Sequence, residues 1–329
     1  MDFPDFKLDT SALDGALSMD PEKCYDLIIV GGGPAAMSAA IYGARKMMDL
    51  ALITRNLGGQ MLETSDIENW LGFQSINAGD LARMFGEHVQ SFDIPLAQDT
   101  SVTEIVRNED GFAVRTDGGT IYRGRTVIFS TGKRHRPLNV AGEKELVGKG
   151  VAYCATCDAP FFRGKTVVVA GGGNSAFTTA VDLIKVGAAV HMVNFIRGWQ
   201  ADETLQERLR QSGTVEFLEY HQIITIEGTE RVDAVVVKNR DDERERRLEA
   251  EGIFIEIGLL PNNEAVRNLV ELNDGGEIIV DCSCRSSVEG FFAAGDVTTV
   301  PHKQVVISAG EGAKAALSAY DYLMNRGAI

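Results

Sequence analysis

The stretch YDLIIVGGGPAAMSAAIYGARK, residues 25–46, decides the fold of the chain. A short apolar run leads into three glycines, and a long alanine-rich segment follows them. Gly31, Gly33 and Ala36 match the G-x-G-x-x-A pattern of a strand–turn–helix unit. The first glycine permits the turn, the second lets the backbone approach a pyrophosphate, and the small third residue lets helix and strand pack closely. Pro34 suits the first helical position, because the N–H that proline lacks would be unpaired there.

The same pattern is repeated in KTVVVAGGGNSAFTTAVDLIKVG, residues 165–187, where Gly171, Gly173 and Ala176 hold the matching positions. In such a unit the phosphates rest on the helix N-terminus, where unpaired N–H groups and the helix dipole favour negative charge. A single match is a weak signal, and two ordinary strand-to-helix turns are the alternative. Two matches in full strand–turn–helix context indicate at least one real dinucleotide site.

The composition excludes several classes of protein. The chain has 329 residues, of which 47 are acidic and 32 basic, and the net charge of −15 argues against nucleic acid as a partner. No run of 18 apolar residues predicts a membrane span, and the start of the chain lacks the basic and apolar regions of a secretory signal. We therefore expect a cytoplasmic protein with no membrane or nucleic-acid partner.

Two segments suggest where a second domain begins and ends. The stretches LNVAGE (138–143) and GLLPNN (258–263) resemble joints at which the chain enters and leaves a second unit. A long helix, Gln304 to Met324, is predicted to close the chain, although two glycines within it would weaken a helix unless something approaches closely there. The expected domains are residues 1–136 with 261–329, in which 1–24 form an N-terminal extension, and an inserted domain of residues 137–260.

A cysteine pair lies between the two glycine turns, in the sequence CATCD (154–158). A C-x-x-C can be a redox dithiol, half of a zinc site or two buried thiols. Thiol–disulphide exchange needs an attacking thiolate and a second thiol close enough to resolve the mixed disulphide, and this spacing provides both. Zinc needs four ligands. Cys282 and Cys284 are the other pair in the chain, and their C-x-C spacing is wrong for that purpose, so no metal site is expected.

The remaining cysteines are expected to be structural. Five cysteines in a chain of this length do not make a disulphide framework, so a reducing compartment is expected. Cys24, Cys282 and Cys284 are interpreted as small hydrophobic residues at strand ends. A regulatory Cys282–Cys284 disulphide, which would be strained, stays open as an alternative.

Together, these motifs resemble the low-molecular-weight thioredoxin reductases and the C-terminal part of the alkyl hydroperoxide reductase flavoprotein. The resemblance runs from about Tyr25 to Tyr322 and includes GGQ (58–60), IENW (67–70), STG (130–132) and the GD of Gly295-Asp296. It implies an α/β fold with two Rossmann-like, three-layer nucleotide-binding domains, the second inserted into the first. It also implies FAD on the first domain, an NAD(P)H-binding-like second domain that carries the redox C-x-x-C, and a homodimer.

The resemblance carries cofactor-binding roles over to specific positions. They lie in the first glycine turn and in five further segments that would line or close the FAD site. The FAD-binding residues implied are Gly31, Gly33, Pro34, Ala35, Gly58, Gly59, Gln60, Asn69, Thr131, Gly132, Gly295, Asp296, Gln304 and Val305.

The resemblance also implies roles at the cysteine pair. Cys157 would accept electrons on the flavin side, and Cys154 would exchange with the protein substrate. The motif by itself does not show which of the two cysteines attacks the substrate, so that assignment rests on the resemblance alone. Asp158 would act as the general acid that protonates the leaving thiolate.

The segment VNFIR (193–197) departs from the family pattern. NADPH-dependent thioredoxin reductases carry a His-Arg-Arg-x-x-x-Arg cluster there, and the NADH-dependent flavoprotein carries a glutamate. This chain has Asn194 and a lone Arg197, so NADH held by Asn194, NADPH held by Arg197, and a protein donor such as ferredoxin all remain open. The possible nucleotide-binding residues are Gly171, Gly173, Asn174, Ser175, Asn194 and Arg197.

The sequence thus predicts an FAD-dependent thiol–disulphide oxidoreductase that reduces thioredoxin or a thioredoxin-like protein through Cys154 and Cys157. The first alternative is the NADH-dependent reductase component of a peroxide-detoxification system that serves a peroxiredoxin. An alternative of another class is a redox-sensing flavoprotein that signals without turnover.

Overall fold

The computed structural model describes residues 17–63, 66–67, 69–153 and 155–329, which divide into two compact units. The first unit extends to Arg134 and resumes at Leu260, and the second unit is His135–Leu259. The joints in the sequence predict an inserted second domain of residues 137–260. The assignment of a cofactor to each unit stays a prediction.

Six α-helices are found among the described residues. The helices α1 and α4 each follow a glycine turn, as the sequence predicts. The helices are α1 (Pro34–Arg45), α2 (Ala78–Gln90), α3 (Ala155–Asp158), α4 (Asn174–Lys185), α5 (Glu203–Ser212) and α6 (Val305–Asn325).

Strands alternate with these helices, as expected of an α/β chain. Those that precede the second unit or lead into it are β1 (Cys24–Val30), β2 (Leu50–Ile53), β3 (Asp66–Ile67), β4 (Ile76–Asn77), β5 (Leu96–Ala97), β6 (Val102–Asn108), β7 (Gly111–Thr116), β8 (Ile121–Phe129) and β9 (Lys133–His135). The strands within the second unit and in the chain after it are β10 (Val151–Ala152), β11 (Thr166–Ala170), β12 (Ala189–Asn194), β13 (Val215–Glu219), β14 (His221–Gly228), β15 (Val232–Asn239), β16 (Glu245–Glu249), β17 (Gly252–Ile255), β18 (Leu259–Pro261) and β19 (Phe291–Ala293).

The main sheet of the first unit has the strand order β5-β2-β1-β8-β7-β6, and β19 pairs with the second half of β8. Strand β1 is parallel to β2 and to β8, and its residues from Tyr25 to Val30 are buried. A parallel strand covered on both faces has a continuous apolar run rather than an alternating pattern. The run before the first glycine turn therefore lies at the centre of this sheet.

The second unit repeats this arrangement with the parallel order β10-β17-β11-β12-β13. Its central strand β11 pairs with β12 on one side and β17 on the other, and it ends at the second glycine turn. An antiparallel sheet, β14-β15-β16, packs its apolar residues Ile223, Val235 and Leu248 into a core shared with β11 and β17. Each unit thus places a glycine turn at the carboxyl edge of a parallel sheet, where ligands bind in open α/β folds.

The two glycines of α6 have different surroundings. A Cβ built on Gly312 would overlap the backbone of α1 at Ala35. The carbonyl carbon of Ala35 would lie only 2.7 Å from this Cβ. A Cβ on Gly310 would meet no atom of the described chain within 4 Å. Close approach of α6 to the first turn of α1 therefore requires Gly312, whereas the contacts of the described residues do not require Gly310.

We expect Gly312→Ala to lower the free energy of unfolding by about 1–3 kcal/mol, because the added methyl group must displace the backbone of α1. Gly310→Ala is the matched control in the same helix, and its better helix propensity should raise stability by up to about 1 kcal/mol. Urea-induced unfolding followed by circular dichroism measures both. Equal midpoints for the two variants would contradict the close packing of α6 on α1.

Candidate functional site

The three glycines of the first turn have different surroundings. Gly31 adopts φ +126°, and a Cβ on it would overlap the carbonyl group of Ser130, the residue that follows β8. A Cβ on Gly32 would overlap Thr54 and Asn56, which follow β2. A Cβ on Gly33 would meet nothing within 4 Å. The protein's own packing thus explains the first two glycines, whereas the space above Gly33 fits a ligand that approaches the backbone, as a pyrophosphate does.

A second glycine segment lies directly beside this turn. The Gly58 N–H donates to the Gly32 carbonyl oxygen at 2.8 Å, and a Cβ on Gly59 would stand 3.0 Å from the Cα of Gly33. Gly59 and Gln60 begin a short 3₁₀ helix, Gly59–Glu63. The structure therefore brings the predicted GGQ segment to the dinucleotide turn, although the two are far apart in sequence.

The remaining predicted FAD residues of the first unit are tied to each other or to the loop after β18. The Asn69 side chain donates to the Gln304 side chain at 2.9 Å, just before Val305 begins α6. The Thr131 hydroxyl donates to the Asn262 carbonyl at 2.7 Å, and the Asn262 N–H donates to the Gly132 carbonyl at 3.0 Å. These bonds order the segments that would border a bound dinucleotide.

A buried glutamate that sequence reasoning missed supports the Gly295-Asp296 turn. Glu311 is 3% exposed, and its Oε2 accepts the N–H of Gly295 at 2.8 Å. Burial raises the pKa of Glu311, and nearby Asp296 raises it further, whereas the Gly295 N–H lowers it. Asp296 accepts from the Ser308 hydroxyl at 3.1 Å, and burial raises its pKa as well. A glutamate next to Gly312 within an apolar helix was the signal that could have revealed this support.

The second glycine turn repeats the first. Gly171 adopts φ +139°, and a Cβ on it would overlap the carbonyl group of Glu256, which follows β17. A Cβ on Gly172 would lie 2.6 Å from the side-chain carbon of Asn194, whereas a Cβ on Gly173 would meet nothing within 4 Å. The space that fits a dinucleotide backbone thus occurs in the second unit too.

Polar side chains surround this second turn. Asn174 and Asp202 form two hydrogen bonds. The Asp202 N–H donates to the Asn174 side-chain oxygen at 2.8 Å, and the Asn174 side-chain N–H donates to the Asp202 carboxylate at 3.1 Å. Glu256 accepts from the Thr179 hydroxyl at 2.9 Å. Burial raises the pKa of Glu256, while its hydrogen bonds to Thr179 and Ser175 lower it. Glu256 and Thr179 were not among the predicted residues, and they come together only because β17 lies beside β11 in the sheet.

Asn194 is buried at the end of β12, where it organises the loop that follows. It is 4% exposed, and its Nδ2 donates to the Gly198 carbonyl at 2.6 Å. The Gly198 N–H in turn donates to the Glu219 carboxylate at 2.7 Å. Asn194 therefore has a structural role in closing this loop against Gly172.

Arg197, the lone basic residue of VNFIR, is engaged by partners of its own. Its guanidinium pairs with Asp241 and lies over the ring of Tyr220, 4.1 Å from the ring centroid. Arg240 lies over Phe195 at 3.9 Å and donates to the Phe195 carbonyl. Both guanidinium groups on this surface are thus engaged by aromatic rings and by hydrogen bonds.

The predicted redox segment, CATCD (154–158), follows the edge strand β10. Cys154 lies outside the described residues, and the backbone of Cys157 belongs to α3, which is a single helical turn (Ala155–Asp158). The Asp158 side chain is half-buried, and burial raises the pKa of its carboxyl group. A carboxyl group that keeps its proton to higher pH than an ordinary aspartate suits the predicted general acid.

The other cysteines have distinct environments. Cys24 and Cys282 are exposed, whereas Cys284 is fully buried, and all three thiols are free. The Cys284 Sγ lies 3.6 Å from the Glu311 carbonyl oxygen, and burial raises the pKa of this thiol to about 11. A thiol that stays protonated is poorly reactive, which fits a structural role for Cys284. The expectation of small hydrophobic residues at strand ends is confirmed only in part, since Cys24 begins β1 but is exposed, Cys284 is buried but lies outside a strand, and Cys282 is exposed in a turn.

The described residues offer neither a metal site nor a membrane span. No group of three or more histidine, cysteine or acidic side chains in that part of the chain is arranged to hold a metal ion. None of the described helices is long and apolar enough to cross a bilayer.

Comparison with known proteins agrees with this geometry. The family model described as pyridine nucleotide-disulphide oxidoreductase matches residues 25–315. The chain is 41% identical over 326 residues to the F subunit of the alkyl hydroperoxide reductase of Pseudomonas putida, covering 98% of this chain and 63% of that protein. It is also 41% identical over 314 residues to a protein of Bacillus subtilis named NADH dehydrogenase, covering 95% of this chain and 61% of that protein. The chain thus spans less than two thirds of the length of these relatives.

Solved structures of thioredoxin reductases match along almost their whole length. The enzyme of Lactococcus lactis, in its FR conformation, superposes with a TM-score of 0.75 at 34% identity, covering 92% of this chain and 99% of that one. The thioredoxin reductase of T. acidophilum gives a TM-score of 0.73 at 34% identity, covering 91% and 99%.

The predicted fold class, two Rossmann-like nucleotide-binding domains, is confirmed by these matches. The family uses FAD and a pyridine nucleotide, and the two open glycine turns described above fit two dinucleotides. The chain belongs to the pyridine nucleotide-disulphide oxidoreductase family and is similar in fold and sequence to the thioredoxin reductases.

Proposed function

We propose that this chain is an FAD-dependent dithiol–disulphide oxidoreductase that uses NADH to reduce a thioredoxin-like protein through Cys154 and Cys157. One observation carries the proposal: a C-x-x-C-Asp segment lies between two dinucleotide turns along the chain, and the Asp158 carboxyl group has a raised pKa. FAD, when bound, supplies the two-electron carrier between a pyridine nucleotide and a dithiol. The residues proposed to hold it are those at the first turn, Gly31 to Ala35, together with Gly58 to Gln60, Asn69, Thr131, Gly132, Gly295, Asp296, Gln304 and Val305.

The two cysteines have complementary tasks in this proposal. The Cys154 thiolate attacks one sulphur of the substrate disulphide, which forms a mixed disulphide and releases the other sulphur as a thiolate. The Cys157 thiolate then attacks Cys154, which releases the reduced substrate and leaves a Cys154–Cys157 disulphide. Asp158 gives its proton to a leaving thiolate and takes it back in the next half-cycle. Two electrons and two protons pass to the substrate in each cycle.

The loop after β12 supports NADH rather than NADPH as the donor. Recognition of a 2′-phosphate depends on charge-assisted hydrogen bonds from free basic groups, but Arg197 is paired with Asp241 and stacked on Tyr220. The Asn194 Nδ2 already donates to the Gly198 carbonyl oxygen. The side-chain amide oxygen of Asn194 is therefore the atom that would contact a ribose hydroxyl. The relative from Bacillus subtilis is itself named NADH dehydrogenase.

A second candidate is the reductase component of a peroxide-detoxification system. The observation that favours it is the 41% identity to the F subunit of alkyl hydroperoxide reductase. Both candidates share the same donor and the same dithiol, and they differ in the disulphide protein that is reduced. Steady-state turnover with thioredoxin supports the first candidate, whereas turnover only with a peroxiredoxin and its carrier supports the second.

We expect NADH to be preferred over NADPH by about 10- to 100-fold in kcat/KM, because one hydrogen bond to a charged group, worth roughly 1.5–3 kcal/mol, is missing for the phosphate. Arg197→Ala should leave this ratio within about threefold of wild type, since the guanidinium is already engaged by Asp241 and Tyr220. Anaerobic stopped-flow reduction of the oxidised flavin, at a series of concentrations of each nucleotide, measures the preference.

The matched variant Asp241→Asn removes the partner of Arg197 and should increase the use of NADPH. Flavin reduction by NADPH at least as fast as by NADH, at equal concentrations in the wild-type protein, would overturn the assignment of NADH. Bleaching by reduced ferredoxin but by neither nucleotide would establish a protein donor instead.

We expect Asp158→Asn to slow reduction of the substrate disulphide by about 100-fold, because a general acid typically accelerates a reaction by about 10²- to 10⁴-fold. The wild-type rate should fall as the pH rises through the raised pKa of Asp158, since the proton is lost there, and the variant should lose this dependence. Stopped-flow measurements between pH 5 and 9, with reduction of the flavin by NADH as the control step, separate the two half-reactions. An unchanged pH profile in the variant would remove Asp158 from this role.

A further inference from the structure

Glu143 is a buried carboxylate that the chemistry proposed above does not use. It is 1% exposed, and it accepts the Leu138 N–H at 2.9 Å and the Asn139 N–H at 2.7 Å. A third donor is the Tyr153 hydroxyl, at 2.8 Å. A buried carboxylate is tolerated when such donors replace water. Glu143 therefore ties the backbone that enters the second unit to the side chain of Tyr153.

Tyr153 is the residue directly before Cys154. Its ring lies 5.3 Å from that of His135, and its side chain packs on the core beneath the antiparallel sheet. Burial and the Glu143 carboxylate both raise the pKa of the Tyr153 hydroxyl, so it stays protonated and remains a donor to the carboxylate. The position before the first cysteine is thus fixed by ring packing and by a charge-assisted hydrogen bond.

The sheet by itself holds this position weakly. Strand β10 has two residues and forms the edge of its sheet, where Val151 and Ala152 pair with β17 and an isolated bridge joins Val151 to Val147. After the cysteines, α3 is a single turn, and the chain is anchored by the buried Ala159 and by Phe162, which packs on Phe254 with ring centroids 5.2 Å apart. The redox segment therefore depends on a polar anchor at one end and an apolar anchor at the other.

We propose that the Glu143–Tyr153 pair positions the backbone that leads into the redox segment and thereby favours formation of the Cys154–Cys157 disulphide. This inference rests on the proposed function for its biological meaning, because it names positioning residues for the same dithiol. Formation of an intramolecular disulphide depends on the effective concentration of one thiol at the other, and an anchored backbone raises that concentration. Removing the Tyr153 hydroxyl should therefore weaken the disulphide without touching either sulphur.

The test measures the equilibrium of the full-length chain with dithiothreitol. In this exchange the protein dithiol and oxidised dithiothreitol give the protein disulphide and reduced dithiothreitol, so two electrons and two protons are transferred. We expect Tyr153→Phe to lower the equilibrium constant for disulphide formation about fivefold, in line with a modest loss of pre-organisation. Acid quenching, alkylation and peptide mass spectrometry give the fraction of the Cys154–Cys157 disulphide.

Controls separate positioning from a general loss of stability. Tyr122→Phe makes the same chemical change at a half-buried tyrosine of β8 and should leave the constant unchanged. Trp199 of the second unit packs on Phe177 and Phe217, and the near-ultraviolet circular dichroism to which it contributes should not change in Tyr153→Phe. Glu143→Gln should lower the equilibrium constant for disulphide formation at least as much as Tyr153→Phe does. The double variant, which carries both substitutions, should have the same constant as Glu143→Gln alone, since the hydroxyl acts through that carboxylate.

The outcomes are distinct from those of the proposed function, because the measurement needs neither a nucleotide nor a protein substrate. A constant for Tyr153→Phe within about 1.5-fold of wild type overturns the inference, since a real anchor would contribute more to pre-organisation. A decrease accompanied by loss of the near-ultraviolet circular dichroism signal overturns it as well. A normal wild-type disulphide with the expected loss in Tyr153→Phe, in a protein that no donor reduces, would overturn the proposed function and leave this inference standing.

Discussion

The fold of both units depends on the close approach of a glycine to the carbonyl group of a neighbouring parallel strand. Gly31 lies against Ser130 after β8, and Gly171 lies against Glu256 after β17. In each case φ is positive and a side chain would collide with backbone, so only glycine fits. This contact lets the chain leave the central strand and begin a helix over the same sheet. It also leaves the helix N-terminus open at the carboxyl edge, where a dinucleotide can bind.

The third glycine of each turn has a different significance. Gly33 and Gly173 have open space where a Cβ would stand, so the protein's own packing does not require them to be glycine. A ligand that approaches the backbone closely does require it. The retention of this feature in the second unit supports a bound nucleotide there, because a turn needed only for folding could carry a side chain at Gly173.

Several groups around these turns depend on pairing across long stretches of sequence. Glu311 reaches the Gly295 N–H from α6, and Gly312 next to it allows α6 to lie on α1. Asn194 faces Gly172 and closes its own loop through Gly198. The Glu143–Tyr153 bond holds the end of a two-residue edge strand. In each case a polar group that would be costly to bury alone finds its partner only in the folded chain.

The sequence by itself determined the two strand–glycine–helix units, and it predicted an inserted second domain and a redox cysteine pair. These features depend on local patterns, since apolar runs, glycines with positive φ and cysteine spacing act within a few residues of each other. Only the tertiary structure decided that Arg197 is engaged by Asp241 and Tyr220, that Glu143 reaches Tyr153, and that Glu256 lies beside the second turn. Those contacts follow from strand order and loop packing, and no spacing along the chain specifies which buried donor will meet which acceptor.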